Sequence, residues 1–254
     1  MLEGRELTKR YGRRIVANGV SYRVAEGEII GLLGKNGAGK TTTFMMTVGL
    51  IKPDAGDVYL DGNRITNLPM FKRARMGIGY LPQETSVFRG LSVRKNILAV
   101  LEMSSVPRAS QKSRLEELIN SFGLQNVQNN IASSLSGGEK RRLEIARSLV
   151  TNPAILLLDE PFTGIDPLAV AEVKEIVVAL VRRKIGVLIT DHNVRDTLSV
   201  TDRAYILEEG KILASGTPLE LINNSVVREA YLGKDITTSL QDEIQQWKVK
   251  KAEN

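Results

Sequence analysis

The chain has 254 residues, of which 42% are hydrophobic and 25% are charged, with no cysteine and a formal net charge of +6 at pH 7. The length allows one large α/β domain or two smaller ones, and the absence of cysteine excludes a disulfide framework and thiol chemistry. No apolar run approaches the roughly 20 residues that a membrane-spanning helix needs, and the N-terminus lacks the apolar core of a secretion signal. The positive charge would suit a nucleotide, an anionic membrane face or nucleic acid, so it selects none of them.

The first 33 residues predict short strands separated by turns. Residues 20–24 form one strand, and the apolar residues 29–33 predict a buried one. Tyr11 lies upstream of that strand, where an aromatic ring could stack on a purine or could simply pack against the β-rich start. The residues alone leave both interpretations open.

The next segment carries the most specific motif of the chain. Residues 34–41 read GKNGAGKT and fit the phosphate-binding pattern G-x-x-x-x-G-K-[ST] at every required position. The preceding strand and a predicted buried helix at residues 42–50 supply the context that the motif needs. Its glycines let backbone N–H groups close around phosphate oxygens, and the helix N-terminus adds partial positive charge. In this motif Lys40 reaches the β- and γ-phosphates and the Thr41 hydroxyl ligates Mg²⁺. The predicted phosphate-binding residues are Gly34, Lys35, Asn36, Gly37, Ala38, Gly39, Lys40, Thr41 and Thr42.

A hairpin at about residues 57–62 and a strand at residues 76–81 come next, the strand ending just before Gln83. From about residue 92 the apolar residues recur at helical spacing, which predicts an inserted helical region at about residues 88–150. Within it, residues 135–139 read LSGGE. Ser136 is a candidate N-cap that Glu139 completes as a capping box. With Gly137 and Gly138 beside it, this helix start is either a second anion site or simply a well-capped helix.

Two adjacent carboxylates, Asp159 and Glu160, follow a predicted apolar strand. Their mutual repulsion and desolvation must be offset, and a triphosphate with Mg²⁺ would do so. Asp159 would then hold the metal through its hydration shell, and Glu160 would polarise an attacking water. A further strand at residues 186–190 ends before His192, the single histidine of the chain. A lone histidine is usually structural, but one at the carboxyl end of a strand in an α/β fold faces the ligand crevice.

The remaining segments give weaker signals. Asp166 precedes a proline in a turn that opens a helix, residues 204–213 predict a hairpin, and residues 218–232 predict a helix. Residues 236–254 are mostly polar and charged, with Trp247 as their one large apolar anchor, which predicts a marginal helix or a loose tail.

In this order the phosphate loop, Gln83, the 135–139 segment, the 156–160 segment, Asp166 and His192 resemble an ABC-type ATPase subunit over residues 1–235. The resemblance implies a P-loop NTPase fold of the ABC type within the α/β class. This fold has a RecA-like α/β core, an antiparallel β subdomain and an inserted α-helical subdomain. It also implies that two subunits pair head to tail around two ATP molecules.

The resemblance also assigns roles to residues. The segment Ser136, Gly137, Gly138 and Glu139 of one chain closes on the γ-phosphate that the other chain holds. Gln83 joins Thr41 and Asp159 as a ligand of Mg²⁺ and senses the γ-phosphate. The implied catalytic residues are Glu160, His192, Gln83 and Lys40, with Tyr11 stacked on adenine and Asp166 at the dimer seam.

A narrower resemblance, to the ATPases of lipopolysaccharide export, is carried by residues 80–84, 86–93, 159–162, 189–195 and 231–233. It implies a chain that powers lipopolysaccharide extraction from the inner membrane and export to the outer membrane. The ATPases of branched-chain amino-acid importers share the catalytic residues and are the alternative. Lys35 departs from the proline usual in this family, which should matter little because the loop uses its backbone.

The resemblance finally predicts location and partners. The chain would be cytoplasmic, held on the inner membrane by membrane-spanning permease subunits that dock near residues 84–91. Phe88 would line that docking groove or, alternatively, pack into the helical subdomain. A third class, which acts on nucleic acid or ribosomes, is disfavoured because the chain has one ATPase unit and no duplicated motif. No nucleic-acid partner is therefore expected.

Overall fold

The fold combines two β-sheets with ten α-helices over the residues that the computed structural model describes, which are 1–232 and 237–252. In chain order the strands are β1 (Leu2–Tyr11), β2 (Arg14–Val24), β3 (Ile29–Leu33), β4 (Ala55–Leu60), β5 (Asn63–Arg64), β6 (Ile78–Leu81), β7 (Ile155–Asp159), β8 (Gly186–Asp191), β9 (Arg203–Glu208) and β10 (Lys211–Gly216). The helices are α1 (Lys40–Val48), α2 (Met70–Arg75), α3 (Val93–Met103), α4 (Arg108–Ser121), α5 (Gly137–Ser148), α6 (Pro167–Arg182), α7 (Val194–Leu198), α8 (Pro218–Asn223), α9 (Ser225–Val227) and α10 (Thr237–Ala252).

The larger sheet has the strand order β10-β9-β3-β8-β7-β6. Strand β10 runs antiparallel to β9, and the other neighbouring pairs are parallel. Strands β3, β7 and β8 are buried at every residue, which explains why their sequences are continuous apolar runs rather than alternating ones. Because the strands are parallel, β6, β7 and β8 deliver the residues that follow them to one edge of the sheet.

The smaller sheet is antiparallel, with the order β2-β1-β4-β5. Strands β1 and β2 contain 10 and 11 residues, longer than the short strands expected at the start of the chain. Register shifts interrupt their pairing, and such irregularities let a long pair bend and twist. The hairpin predicted near residues 57–62 forms as β4 and β5.

Apolar side chains form a core on each face of the larger sheet. Leu157 and Leu188 point to the face shared with α1 and the smaller sheet. Leu156 and Leu158 point to the opposite face, where α3, α4, α5 and α6 pack. This alternation is the period of two that a strand imposes on its side chains. Helices α3 to α5 lie within the predicted helical insertion, whose boundaries as a subdomain stay a prediction.

The C-terminal segment differs from the single helix expected at residues 218–232. Helix α8 ends after Asn223, because the Asn224 side chain accepts from the backbone N–H groups of Val226 and Val227 and starts a new turn. A π-helical turn follows at Arg228–Leu232. The expected boundary at residue 235 lies outside the described residues.

The predicted marginal tail is the packed helix α10. Leu240, Ile244 and Trp247 are buried at the i, i+4 and i+7 spacing of one helix face. Leu240 and Ile244 pack in an apolar cluster with residues of α7 and α8. None of the helices in the described ranges has the length and apolarity required to span a bilayer.

Arg73 of α2, which is 1% exposed, fastens α1 to the segment that follows the hairpin. Its guanidinium donates to the carbonyls of Met46 at 2.9 Å and Thr47 at 2.7 Å. It also donates to the carbonyls of Thr66 at 2.8 Å and Leu68 at 2.9 Å. Arg73 thus satisfies carbonyls at the end of α1 that have no partner within the helix.

Candidate functional site

The phosphate loop joins β3 to α1 and needs its glycines for packing. Gly34, Gly37 and Gly39 have φ angles of +152°, +82° and +100°, which side chains rarely adopt. A Cβ atom on Gly34 would lie 2.3 Å from the Leu207 carbonyl oxygen, and one on Gly39 would lie 2.3 Å from that of Val16. The loop is therefore packed closely against β9 and β2.

Lys40 is the cation inside this loop. Its ammonium donates to the carbonyls of Gly34 at 2.6 Å and Lys35 at 3.1 Å. Burial lowers the pKa of Lys40, and the nearby carboxylates of Glu160, Asp191 and Asp159 oppose that change. A desolvated cation enclosed by a glycine-rich cradle fits a polyphosphate, which would supply the missing negative charge.

The carboxyl ends of β7 and β8 place two buried carboxylates at the same sheet edge. Thr190 Oγ1 donates to Asp159 Oδ1 at 2.6 Å, and Asp191 accepts from the backbone N–H of Asn193 at 2.9 Å. Burial raises the pKa of both Asp159 and Asp191. Sequence reasoning missed Thr190 and Asp191, although their position at the end of the strand before His192 was a usable signal.

Three of the four predicted catalytic residues meet at Glu160, each of them following a different strand. Glu160 Oε2 accepts from Gln83 Nε2 at 2.9 Å and lies 3.3 Å from His192 Nδ1. The Thr163 hydroxyl also donates to this oxygen, at 3.2 Å. Glu160 has a φ of +44°, and its backbone N–H donates to the Thr190 carbonyl at 2.8 Å. The strained turn therefore aims the carboxylate at Gln83 and His192.

The predicted capping box at the start of α5 is confirmed. Ser136 Oγ accepts from the Glu139 backbone at 3.2 Å, and Glu139 Oε2 accepts from the Ser136 backbone at 2.8 Å. This helix start lies against α6, because a Cβ atom on Gly138 would be 3.4 Å from Ala169. Asp166 caps α6 by accepting from the Ala169 N–H at 3.0 Å. Within residues 1–232 and 237–252, the side chains of Ser136 and Glu139 hydrogen-bond to each other's backbone and not to the phosphate loop.

A cavity of about 550 Å³ adjoins the phosphate loop. Its wall is formed by parts of β2, the loop itself, the turn between β9 and β10, and the π-helical turn. The lining residues are Arg14, Ile15, Val16, Lys35, Asn36, Gly37, Ala38, Glu208, Glu209, Gly210 and Tyr231. Tyr11 is not among them, and its ring is 50% exposed. Packing therefore does not account for Tyr11, and its stacking on adenine stays a prediction.

The predicted magnesium ligands lie on three different elements. Thr41 is exposed in the first turn of α1, Gln83 follows β6, and Asp159 ends β7. Within the part of the chain that the structure describes, no group of three or more His, Cys, Asp or Glu side chains forms a metal site. The predicted set does not need one, since it combines a hydroxyl, an amide and one carboxylate, and Mg²⁺ commonly takes its remaining ligands from water and phosphate.

The loop of residues 84–91 presents one aromatic ring to solvent. Val87 is buried, whereas Phe88 is 43% exposed and lies under the Arg147 guanidinium, 4.5 Å from its central carbon. The buried Asn96 amide holds the Phe88 backbone, accepting from its N–H at 2.8 Å and donating to its carbonyl at 3.0 Å. The Glu144 carboxylate similarly accepts from the Ser86 N–H at 2.7 Å. The alternative that Phe88 packs into the helical core is therefore not supported.

Comparisons with known proteins agree with this architecture. The family described as "ABC transporter" matches residues 17–163. A shorter family, "Branched-chain amino acid ATP-binding cassette transporter", matches residues 211–237. Among solved structures, an ATP-binding cassette of an ABC transporter in its ADP conformation is 26% identical with a TM-score of 0.83, covering 92% of this chain and 99% of that one. The protein cbiO1 of Clostridium perfringens is 27% identical with a TM-score of 0.81, covering 90% and 92%.

Curated relatives match nearly the whole chain. The "Lipopolysaccharide export system ATP-binding protein LptB" of Acidithiobacillus ferridurans is 52% identical over 233 residues, covering 92% of this chain and 97% of the relative. The protein of the same description in Haemophilus influenzae is 50% identical over 235 residues, covering 92% and 98%. The predicted P-loop fold and the predicted family are thus confirmed. The chain belongs to the ABC transporter family of ATP-binding proteins.

Proposed function

We propose that the chain is the ATP-hydrolysing subunit of an ABC transporter that extracts lipopolysaccharide from the inner membrane for export to the outer membrane. The convergence of Gln83 and His192 on the Glu160 carboxylate, next to the buried Asp159, carries the ATPase assignment. The cargo is supported by identities of 50–52% to proteins described as lipopolysaccharide export subunits.

Branched-chain amino-acid import is the second candidate. A family pattern with that description matches residues 211–237. That match is confined to the C-terminal part of the chain, whereas the lipopolysaccharide-export relatives cover 92% of it. The export assignment is therefore the stronger of the two.

In substrate binding, the loop N–H groups and Lys40 hold the phosphates. The Lys40 ammonium would exchange its bonds to the Gly34 and Lys35 carbonyls for the β- and γ-phosphate oxygens. Thr41, Gln83 and Asp159 would hold Mg²⁺, which neutralises the negative charge on the phosphates. Tyr11, which is 50% exposed, would stack on the adenine ring.

In hydrolysis, the chain's own groups orient water and stabilise charge. The Glu160 carboxylate would accept a hydrogen bond from the attacking water and polarise it. His192, whose side chain is 46% exposed beside Glu160, would donate to the γ-phosphate. Gln83, whose Nε2 donates to Glu160, would offer its Oε1 to the metal ion, which links the site to the loop of residues 84–91.

A second copy of the chain would complete each site. Ser136 and Gly137 are exposed at a capped helix start, an arrangement that favours an anion. We place this segment on the γ-phosphate bound by the partner copy, with Asp166 at the seam because α5 and α6 begin side by side. The subunit would remain on the cytoplasmic face of the inner membrane through permease subunits that dock on the loop containing Phe88.

The test of the ATPase assignment is Glu160→Gln. Loss of a general base typically slows a reaction about 10²–10⁴-fold, so we expect hydrolysis to fall by this factor while ATP binding persists. The variant should then elute as an ATP-bound dimer in size-exclusion chromatography with ATP and without Mg²⁺. The exposed Glu102 on α3 provides a matched control, Glu102→Gln. Hydrolysis at the wild-type rate in Glu160→Gln would refute the catalytic role, and a strict monomer would refute the ATP-bound pair.

The cargo is tested separately. The chain is reconstituted in liposomes with lipopolysaccharide-export permease subunits or with branched-chain amino-acid permease subunits. We expect assembly and lipopolysaccharide-stimulated hydrolysis only with the former. Assembly with the importer subunits alone would reverse the cargo assignment and leave the ATPase assignment intact.

A further inference from the structure

The phosphate loop is fastened from outside by parts of the chain that are distant in sequence. Ala38 accepts through its carbonyl from the Gly210 N–H at 3.0 Å, which ties the loop to the turn between β9 and β10. The close approach of Gly39 to the Val16 carbonyl ties its end to β2. These contacts hold the second half of the loop. The first half, residues 34–36, is held by other contacts.

Tyr231 of the π-helical turn contacts this first half. Its hydroxyl donates to the Leu207 carbonyl at 3.0 Å, and that carbonyl is the atom on which Gly34 packs. The Lys35 ammonium lies 5.3 Å from the centre of the Tyr231 ring, within cation–π range. Burial raises the pKa of the Tyr231 hydroxyl. One side chain therefore joins the loop to the end of β9.

The peptide between Gly34 and Lys35 is consequently held from both sides. Lys40 donates to the carbonyls of Gly34 and Lys35 from inside the loop, and the Tyr231 ring lies beside the Lys35 ammonium on the outside. When Lys40 turns toward a phosphate, the inner contacts are exchanged, whereas the outer ones can remain. π-Helical turns are rare and frequently lie at functional sites, which agrees with a role for this one beyond chain continuity.

We propose that Tyr231 is a positioning residue of the phosphate loop, whose hydroxyl keeps residues 34–36 in the shape that receives the phosphates. This proposal rests on the assignment of the loop as the ATP site. Tyr231 is assigned to ATP binding rather than to the chemical step, because Tyr231 contacts the loop and not Gln83, Glu160 or His192. A preorganised loop has less conformational freedom to lose on binding, and so binds more tightly.

The test is Tyr231→Phe, which removes the hydroxyl and keeps the ring. Hydrogen–deuterium exchange without added nucleotide measures the protection of residues 34–39, and equilibrium titration measures affinity for ATP. Loss of one neutral hydrogen bond predicts exchange about 2- to 10-fold faster, affinity weaker by a similar factor, and KM raised with kcat unchanged. Tyr205→Phe is the matched control, because the Tyr205 hydroxyl on β9 contacts the Arg23 N–H at 3.3 Å instead of the loop.

A second variant separates the hydroxyl from the ring contact. Lys35→Met removes the ammonium and keeps the bond from the Tyr231 hydroxyl to the Leu207 carbonyl, so its loop protection should stay within about twofold of wild type. Loop loosening in Lys35→Met equal to that in Tyr231→Phe would assign the holding to the ring contact and overturn the proposal. Unchanged protection or unchanged affinity in Tyr231→Phe, or a fall confined to kcat, would also overturn it. Failure of the wild-type chain to bind ATP would refute the proposed function, while the exchange measurement would still report on the contact with the loop.

Discussion

Two polar regions flank Gln83, and they are built in opposite ways. On the side of the loop of residues 84–91, the buried Asn96 amide uses both ends, accepting from the Phe88 N–H and donating to the carbonyls of Phe88, Leu91 and Ser92. On the nucleotide side, burial shifts the pKa values of Lys40 and Asp159 toward their neutral forms. In the first region the polar groups have hydrogen-bond partners within the chain. In the second, burial disfavours the charged forms of Lys40 and Asp159, and a bound polyanion and metal ion would stabilise them.

The largest effect is expected at Lys40. We expect Lys40→Met to weaken ATP binding about 10- to 100-fold, since a charge-assisted hydrogen bond contributes about 1.5–3 kcal/mol. The thermal midpoint should not fall, because the substitution removes a desolvated cation. Calorimetric titration and thermal unfolding measure both, with Lys211→Met on the exposed edge of β10 as the control. A large fall in the thermal midpoint would show that Lys40 stabilises the fold. An unchanged affinity for ATP would show that Lys40 does not bind the nucleotide.

The opposite result is expected on the other side of Gln83. Asn96→Leu leaves the Phe88 N–H without its partner and should lower the free energy of unfolding by about 1–3 kcal/mol. Chemical denaturation measures this change, with the exposed Asn120→Leu on α4 as the control. A variant as stable as wild type would show that the Asn96 bonds do not hold the loop.

Phe88 is exposed although its backbone N–H and carbonyl are both hydrogen-bonded to the buried Asn96 amide. Phe88→Ala should leave the ATPase activity and stability of the isolated chain nearly unchanged and weaken assembly with permease subunits by about 2 kcal/mol, the value of an interface hot spot. Met103→Ala, which replaces a residue that is 87% exposed on α3, serves as the matched control for affinity in reconstituted membranes. Unfolding of Phe88→Ala would favour a core role, and intact assembly would exclude the ring from the docking surface.

Asp159 gives the smallest effect and a pH signature. Burial raises its pKa, so the folded chain binds this proton more tightly than the unfolded chain, and stability is lost as pH rises through the raised pKa. Asp159→Asn lacks this loss. It should match wild type in acid and exceed it at pH 8 by about 0.5–2 kcal/mol, as measured by denaturation across pH. A constant difference between the two chains would mean that burial does not destabilise the ionised Asp159.

The grouping of the candidate catalytic residues could be predicted because they follow strands. Parallel strands bring their carboxyl ends to one edge, so Gln83, Glu160 and His192 met there as their positions after β6, β7 and β8 indicated. The capping box at Ser136 is also local, since Glu139 lies only three residues away. The partner-dependent roles of Ser136 and Asp166 stay predictions.

Part of the remainder depends on long-range contacts that no local pattern encodes. Tyr231 meets the phosphate loop only because β9 pairs with β3, and no spacing in the sequence relates these segments. The capping chemistry of Asn224 indicates a break in the helix, whereas the apolar period of residues 218–232 favours a single helix. Helix α10 was underestimated because its hydrophobic face has few residues, although Trp247 alone buries a large area.

The guanidinium of Arg73 has a consequence for the order of folding. Its bonds to Met46 and Thr47 span 27 and 26 residues, and those to Thr66 and Leu68 span 7 and 5. By contrast, Ile29 of β3 reaches Asp202 across 173 residues. Because closing a short loop costs less chain entropy than closing a long one, we expect α1, the hairpin and α2 to assemble as a local unit. The C-terminal end of α1 would then be anchored before the central sheet is complete.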